Sequence, residues 1–150
     1  MIEMIDNEKF RQLRELVRLM ERNLGILDVK MTCCGVSLAQ CHALVEIGRA
    51  GTISLIELAN LINLDNSTMS RTVNNLVSNK MAERELDPND RRYVAIKLTP
   101  AGITAFKEIE SSMEEYFMGI FDSIPEDKRD QVLDSLQILL KAISENKCCS

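Results

Sequence analysis

Two arginines, Arg91 and Arg92, stand together in the run DPNDRRYVAIKLTPAG, residues 87–102. A guanidinium is a permanent planar cation with forked donors, suited to phosphates and base edges. Upstream, the run NSTMSRTVNNLVSN, residues 66–79, carries a single charge, Arg71, among Ser67, Thr68, Ser70 and Asn74. Arginine and asparagine make bidentate contacts with guanine and adenine in the major groove, and hydroxyls reach phosphates or base edges. A third group lies in MTCCGVSLAQCHALVEIG, residues 31–48: Cys33, Cys34, Cys41 and His42, the only histidine. Thiolates and imidazole suit soft metal ions. A thiol with depressed pKa suits oxidant chemistry, and Cys33 and Cys34 precede a helix start, where the dipole favours thiolate.

Each set has a plainer reading. Polar residues opposite an apolar stripe are the default for a solvated helix. A charged turn is ordinary surface. Cys41 sits at helical spacing from Leu38 and Val45, as a small core residue would. The elements that must position these side chains decide between the readings.

From Phe10 the apolar residues Phe10, Leu13, Val17, Met20, Leu24 and Leu27 step by three and four, the seam of an amphipathic helix. That helix is expected to end between Asp28 and Cys34. Ser37 with Gln40 is a capping box that opens a short helix to about Arg49, with Gly51 as its stop. Thr52-Ile53 is briefly extended. Ser54 with Glu57 is a second capping box, opening a helix with Leu55, Leu58, Ala59 and Ile62 on one face. Asn63 to Asp65 is a tight connector, and Asp65 or Asn66 caps a helix to about Asn79 with Met69, Val73, Leu76 and Val77 inward. Two short helices joined this way make a helix-turn-helix.

Met81–Leu86 and Tyr93–Leu98 alternate as strands, and Asp87-Pro88-Asn89-Asp90 between them is turn chemistry. Thr99 caps a long helix with Pro100 in its first turn, where Gly102 is expected to weaken it slightly. Its stripe runs through Ile103, Phe106, Ile109, Met113, Phe117, Ile120 and Ile124. After the break at Pro125, a last helix carries Val132, Leu136, Leu139 and Ile143. The fold class is therefore mainly α with a small β-hairpin wing: a winged helix-turn-helix flanked by amphipathic helices. Residues 1–150 form one domain, with a winged lobe at 37–98 and dimerisation helices at 1–34 and 103–150. The open seams are most simply covered by a second copy, since symmetric dimers are the commonest oligomer.

The formal net charge is −5. It is uneven: residues 1–51 hold seven basic and seven acidic groups, residues 52–98 six of each, and residues 99–150 five against ten. Only the C-terminal third repels nucleic acid. No apolar run is long enough for a bilayer, and MIEMIDNEKF has acids where a signal peptide has a basic head, so the expected location is the cytoplasm, without membrane contact. Five cysteines, four of them in the adjacent pairs Cys33-Cys34 and Cys148-Cys149, make a poor disulfide framework. An enzyme is not expected. Consecutive Cys41 and His42 diverge by about 100° on a helix and cannot act as nucleophile and base together, and there is no CxxC or phosphate loop.

The run STMSRTVNNLVSNKMAERELDPNDRRYVAIKLTPAG, Ser67 to Gly102, resembles the signature of the MarR family of bacterial winged-helix repressors, and the flanking helices extend the likeness over nearly the whole chain. The segment around Asp90, Arg91 and Arg92, followed by Leu98-Thr99-Pro100-Ala101-Gly102, is its most specific part. The resemblance implies a homodimer on double-stranded DNA. The 66–79 helix, bearing Ser67, Thr68, Ser70, Arg71 and Asn74, would lie in the major groove. Arg91 or Arg92 would enter the minor groove, whose narrow electronegative floor attracts such groups. Asp90 beside them is placed to support the wing by a salt bridge to one arginine.

The resemblance further implies that an effector tunes DNA affinity. No cofactor is required; a soft metal ion or a small aromatic molecule is the candidate effector. In zinc-sensing members a cysteine before the second helix and a histidine early in it are ligands. Cys33 or Cys34 and His42 resemble those, with Cys41 in place of a carboxylate, but the later histidines of those members have no counterpart in EIESSMEEYF. Peroxide sensing by an N-terminal cysteine is the rival. The alternatives to a small-effector regulator are thus a thiol- or soft-metal-responsive sensor using Cys33, Cys34, Cys41 and His42, and a winged-helix adaptor that binds protein rather than DNA.

Overall fold

The computed structural model describes residues 2–24, 37–90 and 93–146, with side chains in the first segment from residue 8 onward. Helix α1 spans Ile2–Asn23. It starts before the seam does and stops short of the expected end, at Asn23 and just before Gly25, both weak helix formers. Of the seam, Phe10, Leu13 and Met20 are exposed and Val17 and Leu24 half-buried. Leu27 lies outside the described residues.

The chain divides into two compact units, Met1–Ile109 and Glu110–Ser150. In the first, α2 (Leu38–Ala50) starts with the expected capping box: the Gln40 N–H donates to Ser37 Oγ at 3.3 Å, and the Ser37 N–H to Gln40 Oε1 at 3.4 Å. It ends on Gly51 at φ +78°, a conformation that glycine adopts without strain. Strand β1 (Thr52–Ser54) leads into α3 (Leu55–Ile62), where the second capping box is half formed. Ser54 Oγ accepts from the Glu57 N–H at 3.1 Å, while the Glu57 side chain gives no return bond. Asn63 closes α3 in the left-handed region, and Asp65 caps α4 (Asn66–Ser78).

Strands β2 (Ala82–Leu86) and β3 (Val94–Leu98) form the hairpin. The Thr52-Ile53 segment pairs with it, giving an antiparallel three-stranded sheet of order β1-β3-β2, with Ile53, Ile96 and Arg84 across from one another. The core lies between the helices and this sheet: Ala43, Leu44 and Ile47 of α2, Leu58 and Ala59 of α3, Met69, Val73 and Leu76 of α4, Ile53 and Ile96, and Ala105 and Ile109 of α5 (Pro100–Ser123). Burying each large aliphatic side chain stabilises the lobe by about 1.5–3 kcal/mol. The phase of α5 differs from the expected stripe. Gly102, Ala105 and Ile109 face the core, whereas Ile103 is exposed, because Gly102 rather than a bulky residue is what fits against the hairpin.

In the second unit the C-terminal part of α5 turns through Pro125 and a 3-10 turn (Glu126–Lys128) into α6 (Arg129–Glu145). Arg129 closes the turn. Its Nε donates to the Ile124 carbonyl at 3.1 Å, Nη2 to the Asp122 carbonyl at 3.3 Å, and the guanidinium stands 4.9 Å from the Phe121 ring centroid. Here Met113, Phe117, Ile120, Leu136 and Ile143 of the expected stripes are exposed. Among the described residues no helix is long and apolar enough to cross a membrane.

Candidate nucleic-acid interface

Helix α4 is built to show one face and bury the other. Met69, Thr72, Val73 and Leu76 are buried at helical spacing, which turns Ser67, Arg71 and Asn74 outward, all three exposed. Ser70 is half-buried on the flank facing β2. Thr68 also has a task in the helix cap. Its backbone N–H donates to Asp65 Oδ2 at 3.0 Å and its hydroxyl donates to Asp65 Oδ1, so it is tied into the helix cap and half-buried. The same hydrogen bonds, the hydroxyl's first, hold the Asp65 carboxyl below its usual pKa. Thr72 repeats the economy, its hydroxyl donating to the Thr68 carbonyl at 2.9 Å.

The wing tip closes on itself. The Asp87 N–H donates to the Tyr93 carbonyl at 3.0 Å, the Tyr93 N–H to the Asp90 carbonyl at 3.1 Å, and the Asn89 N–H to Asp87 Oδ1 at 2.8 Å. The last is an Asx turn, the local geometry for which aspartate is favoured. Asp90 is half-buried at the end of this loop, and the Tyr93–Asp90 bond ties together the chain on either side of positions 91 and 92. Arg91 and Arg92 themselves, and with them the expected Asp90–arginine ion pair, lie outside the described residues.

The hairpin base is anchored to α5. The Thr99 N–H donates to the Met81 carbonyl at 3.0 Å, and the Thr99 hydroxyl donates to the Lys80 carbonyl at 2.6 Å while accepting from the Gly102 N–H at 3.1 Å. Gly102 is required rather than merely tolerated at this junction.

Two charged features of the wing escaped the reading of the sequence. On the outer face of the sheet, Lys97 Nζ lies 2.6 Å from Glu85 and 3.8 Å from Glu83, and the hydrogen bond that Nζ donates to Glu85, aided by the carboxylate's charge, raises the Lys97 pKa. On the opposite face, Arg84 reaches across to α4, its Nη2 donating to the Ser70 carbonyl at 3.4 Å. The alternation Glu83-Arg84-Glu85 within a strand is the signal that could have exposed this, since successive side chains point to opposite faces.

The cysteine group is only partly visible. Cys41 is half-buried, packs against the core and carries no disulfide, whereas the adjacent His42 is exposed. Cys33 and Cys34 lie outside the described residues. Among the described residues no three potential ligands gather around a common point.

A helix-turn-helix whose second helix presents a polar face beside a hairpin strand defines a winged helix-turn-helix protein. Residues 36–94 match the profile described as MarR family. The HTH-type transcriptional regulator BilQ of Clostridium symbiosum is 27% identical over 114 residues, covering 76% of this chain and 79% of that protein. The multiple antibiotic resistance protein MarR of Salmonella typhimurium is 34% identical over 85 residues, 57% of this chain and 54% of that one. Among solved structures, FabT of Streptococcus pneumoniae in complex with DNA superposes with a TM-score of 0.81 at 18% identity, over 92% of this chain and 99% of that chain, a likeness of fold. Residues 36–94 are thus of the MarR family, and BilQ, among the relatives, is an HTH-type transcriptional regulator.

Proposed function

We propose that the protein is a homodimeric, DNA-binding transcriptional repressor of the cytoplasm and not an enzyme. In this reading α4 enters the major groove with Arg71 and Asn74 reading base edges, while Ser67 and Ser70 hold the backbone and Thr68 acts through the cap. The wing carries Arg91 and Arg92 to the minor groove, on a loop that Asp90 supports. A small effector tunes the affinity. The observation that carries this reading is the exposed polar face of α4, Ser67, Arg71 and Asn74, over a buried face of Met69, Thr72, Val73 and Leu76. The dimer rests on the apolar residues left in solvent: Phe10 at 66% exposure on α1, Phe117 at 52% on α5 and Ile138 at 72% on α6. Exposed apolar side chains on amphipathic helices mark interaction surfaces in each unit taken by itself, and a second copy of the same chain covers them.

Replacing Arg91 and Arg92 together with alanine tests the reading. A regulator loses duplex affinity and keeps its oligomeric state; an adaptor keeps its protein partner and has no duplex affinity to lose.

A further inference from the structure

Strand β2 is an edge strand of the sheet, and its three central residues are charged: Glu83, Arg84 and Glu85. Charges on an edge strand guard against unwanted pairing, but these three are not equivalent. Glu83 is opposite Lys97 in the ladder, and both carboxylates engage the Lys97 ammonium on the outer face. Arg84 is opposite Ile96, which is buried and itself opposite Ile53. Arg84 therefore leaves the strand on the α4 side, beyond the edge of the core, where it is exposed.

Its surroundings are unusual for a cation in an acidic chain. Among the described residues no carboxylate pairs with it, since its two neighbours in sequence are drawn to Lys97 on the other face. Its one partner among the described residues is the Ser70 carbonyl at 3.4 Å, a long bond by the usual standard of about 2.7–3.2 Å. Ser70 is one heptad before Val77, on the flank of α4 turned toward the wing; Val77, Lys80 and Arg84 line one shallow crevice at the hairpin base, together with Glu83, whose carboxylate engages Lys97. The guanidinium is thus parked beside the polar face of α4 by a weak neutral acceptor, with most of its donors uncommitted. A charge-assisted bond to a phosphate is roughly twice as strong as a neutral one.

We propose that Arg84 is a phosphate-contacting residue of the DNA surface, held against α4 by the Ser70 carbonyl so that its remaining donors meet a backbone phosphate between the helix and the wing. The contact rests on the DNA-binding reading above. It carries no sequence information, because phosphate contacts position and base contacts specify. It also orients the wing: a cation on the α4 side and carboxylates on the outer side leave one face of β2 compatible with a polyanion.

The test needs no operator, because the electrostatic part of binding is independent of sequence. A random-sequence duplex of roughly 30 base pairs, long enough for two half-sites, is titrated at several salt concentrations with the wild type, Arg84→Gln and Arg84→Lys. Glutamine keeps a polar side chain with N–H donors but has no charge. The expected result is a log–log salt slope shallower by about 0.9 per protomer for Arg84→Gln, an affinity several-fold lower at low salt, an unchanged melting temperature, and a slope restored by Arg84→Lys. A wild-type slope in Arg84→Gln overturns the proposal, whether or not affinity falls. If Arg84→Gln fails to fold, Arg84→Met repeats the comparison. Unfolding of both variants also overturns it, since a side chain whose task is a phosphate contact does not hold the core. A wild-type protein with no salt-dependent duplex binding instead sinks the DNA-binding reading itself.

Discussion

A Cβ placed on Gly102 would stand 1.9 Å from the carbonyl oxygen of Met81. That carbonyl accepts from the Thr99 N–H, so the chain approaches itself closely where the hairpin base, the end of α4 and the start of α5 meet. The contacted atom is backbone and cannot swing aside.

Gly102→Ala is therefore expected to destabilise the protein by about 3 kcal/mol or more, the upper range for overpacking. A Cβ on Gly48 would instead meet the Phe106 ring at 2.6 Å, a side chain that smaller substitutions can remove. Gly48→Ala should cost clearly less in a Phe106→Leu background than in the wild type. Urea denaturation of the single and double variants measures both effects. Equal costs for Gly48→Ala in the two backgrounds would contradict the assigned contact.

Asp65 makes stability depend on pH at the acid end. Its folded pKa is depressed, first by the Thr68 hydroxyl and then by the Thr68 N–H. The unfolded chain therefore binds its proton first as pH falls, and the stability it contributes is present above the usual carboxylate range and lost as pH drops through the folded value. The group is exposed, so solvent screens the effect. Asp65→Asn keeps a good cap but does not titrate, and should flatten the acid limb of melting temperature against pH while leaving the neutral value nearly unchanged. Parallel acid limbs in the two proteins would refute the assignment.

The outer face of the wing carries two carboxylates against one ammonium. Converting Glu83 and Glu85 to glutamine removes two negative charges from the wing, and charges act on a docked duplex over a Debye length of about 10 Å. Affinity for random duplex should rise several-fold at low salt, and Lys97→Gln should lower it. Fluorescence anisotropy at two salt concentrations reads both. No change in either variant would place the outer face far from the nucleic acid.

Arg71 and Asn74 are expected to specify rather than position. Alanine at either should cost about 1–3 kcal/mol on a selected duplex and relax preference at one base pair per half-site, with little effect on random duplex. Equal losses on selected and random duplexes would move these residues from base edges to phosphates.

Much of this arrangement could be read from local signals. Ser37 with Gln40, Asp65 before α4, and Thr99-Pro100 before α5 are caps whose chemistry acts over three or four residues, so the sequence alone locates them. The sheet was harder. Strand β1 is three residues long and its partner β3 lies far along the chain, so no periodicity betrays the pairing of Ile53 with Ile96. The role of Gly102 was read with the wrong sign, because helix propensity treats glycine as a defect, whereas the neighbouring Met81 carbonyl makes any side chain impossible without a shift. Ile103 looked like core because apolar spacing cannot distinguish which of two adjacent residues meets the lobe. Arg84 passed as ordinary surface charge, since its significance depends on which face of β2 it leaves and on a helix brought alongside by the fold.

The central claim is that two copies of α4 read one duplex from the same side. Selection of bound sequences from a random duplex pool by the wild-type protein tests it most directly. The account predicts enrichment of an inverted repeat with half-site centres about 10 base pairs apart, one helical turn. Absence of enrichment, or enrichment of a site without two-fold symmetry, would contradict it.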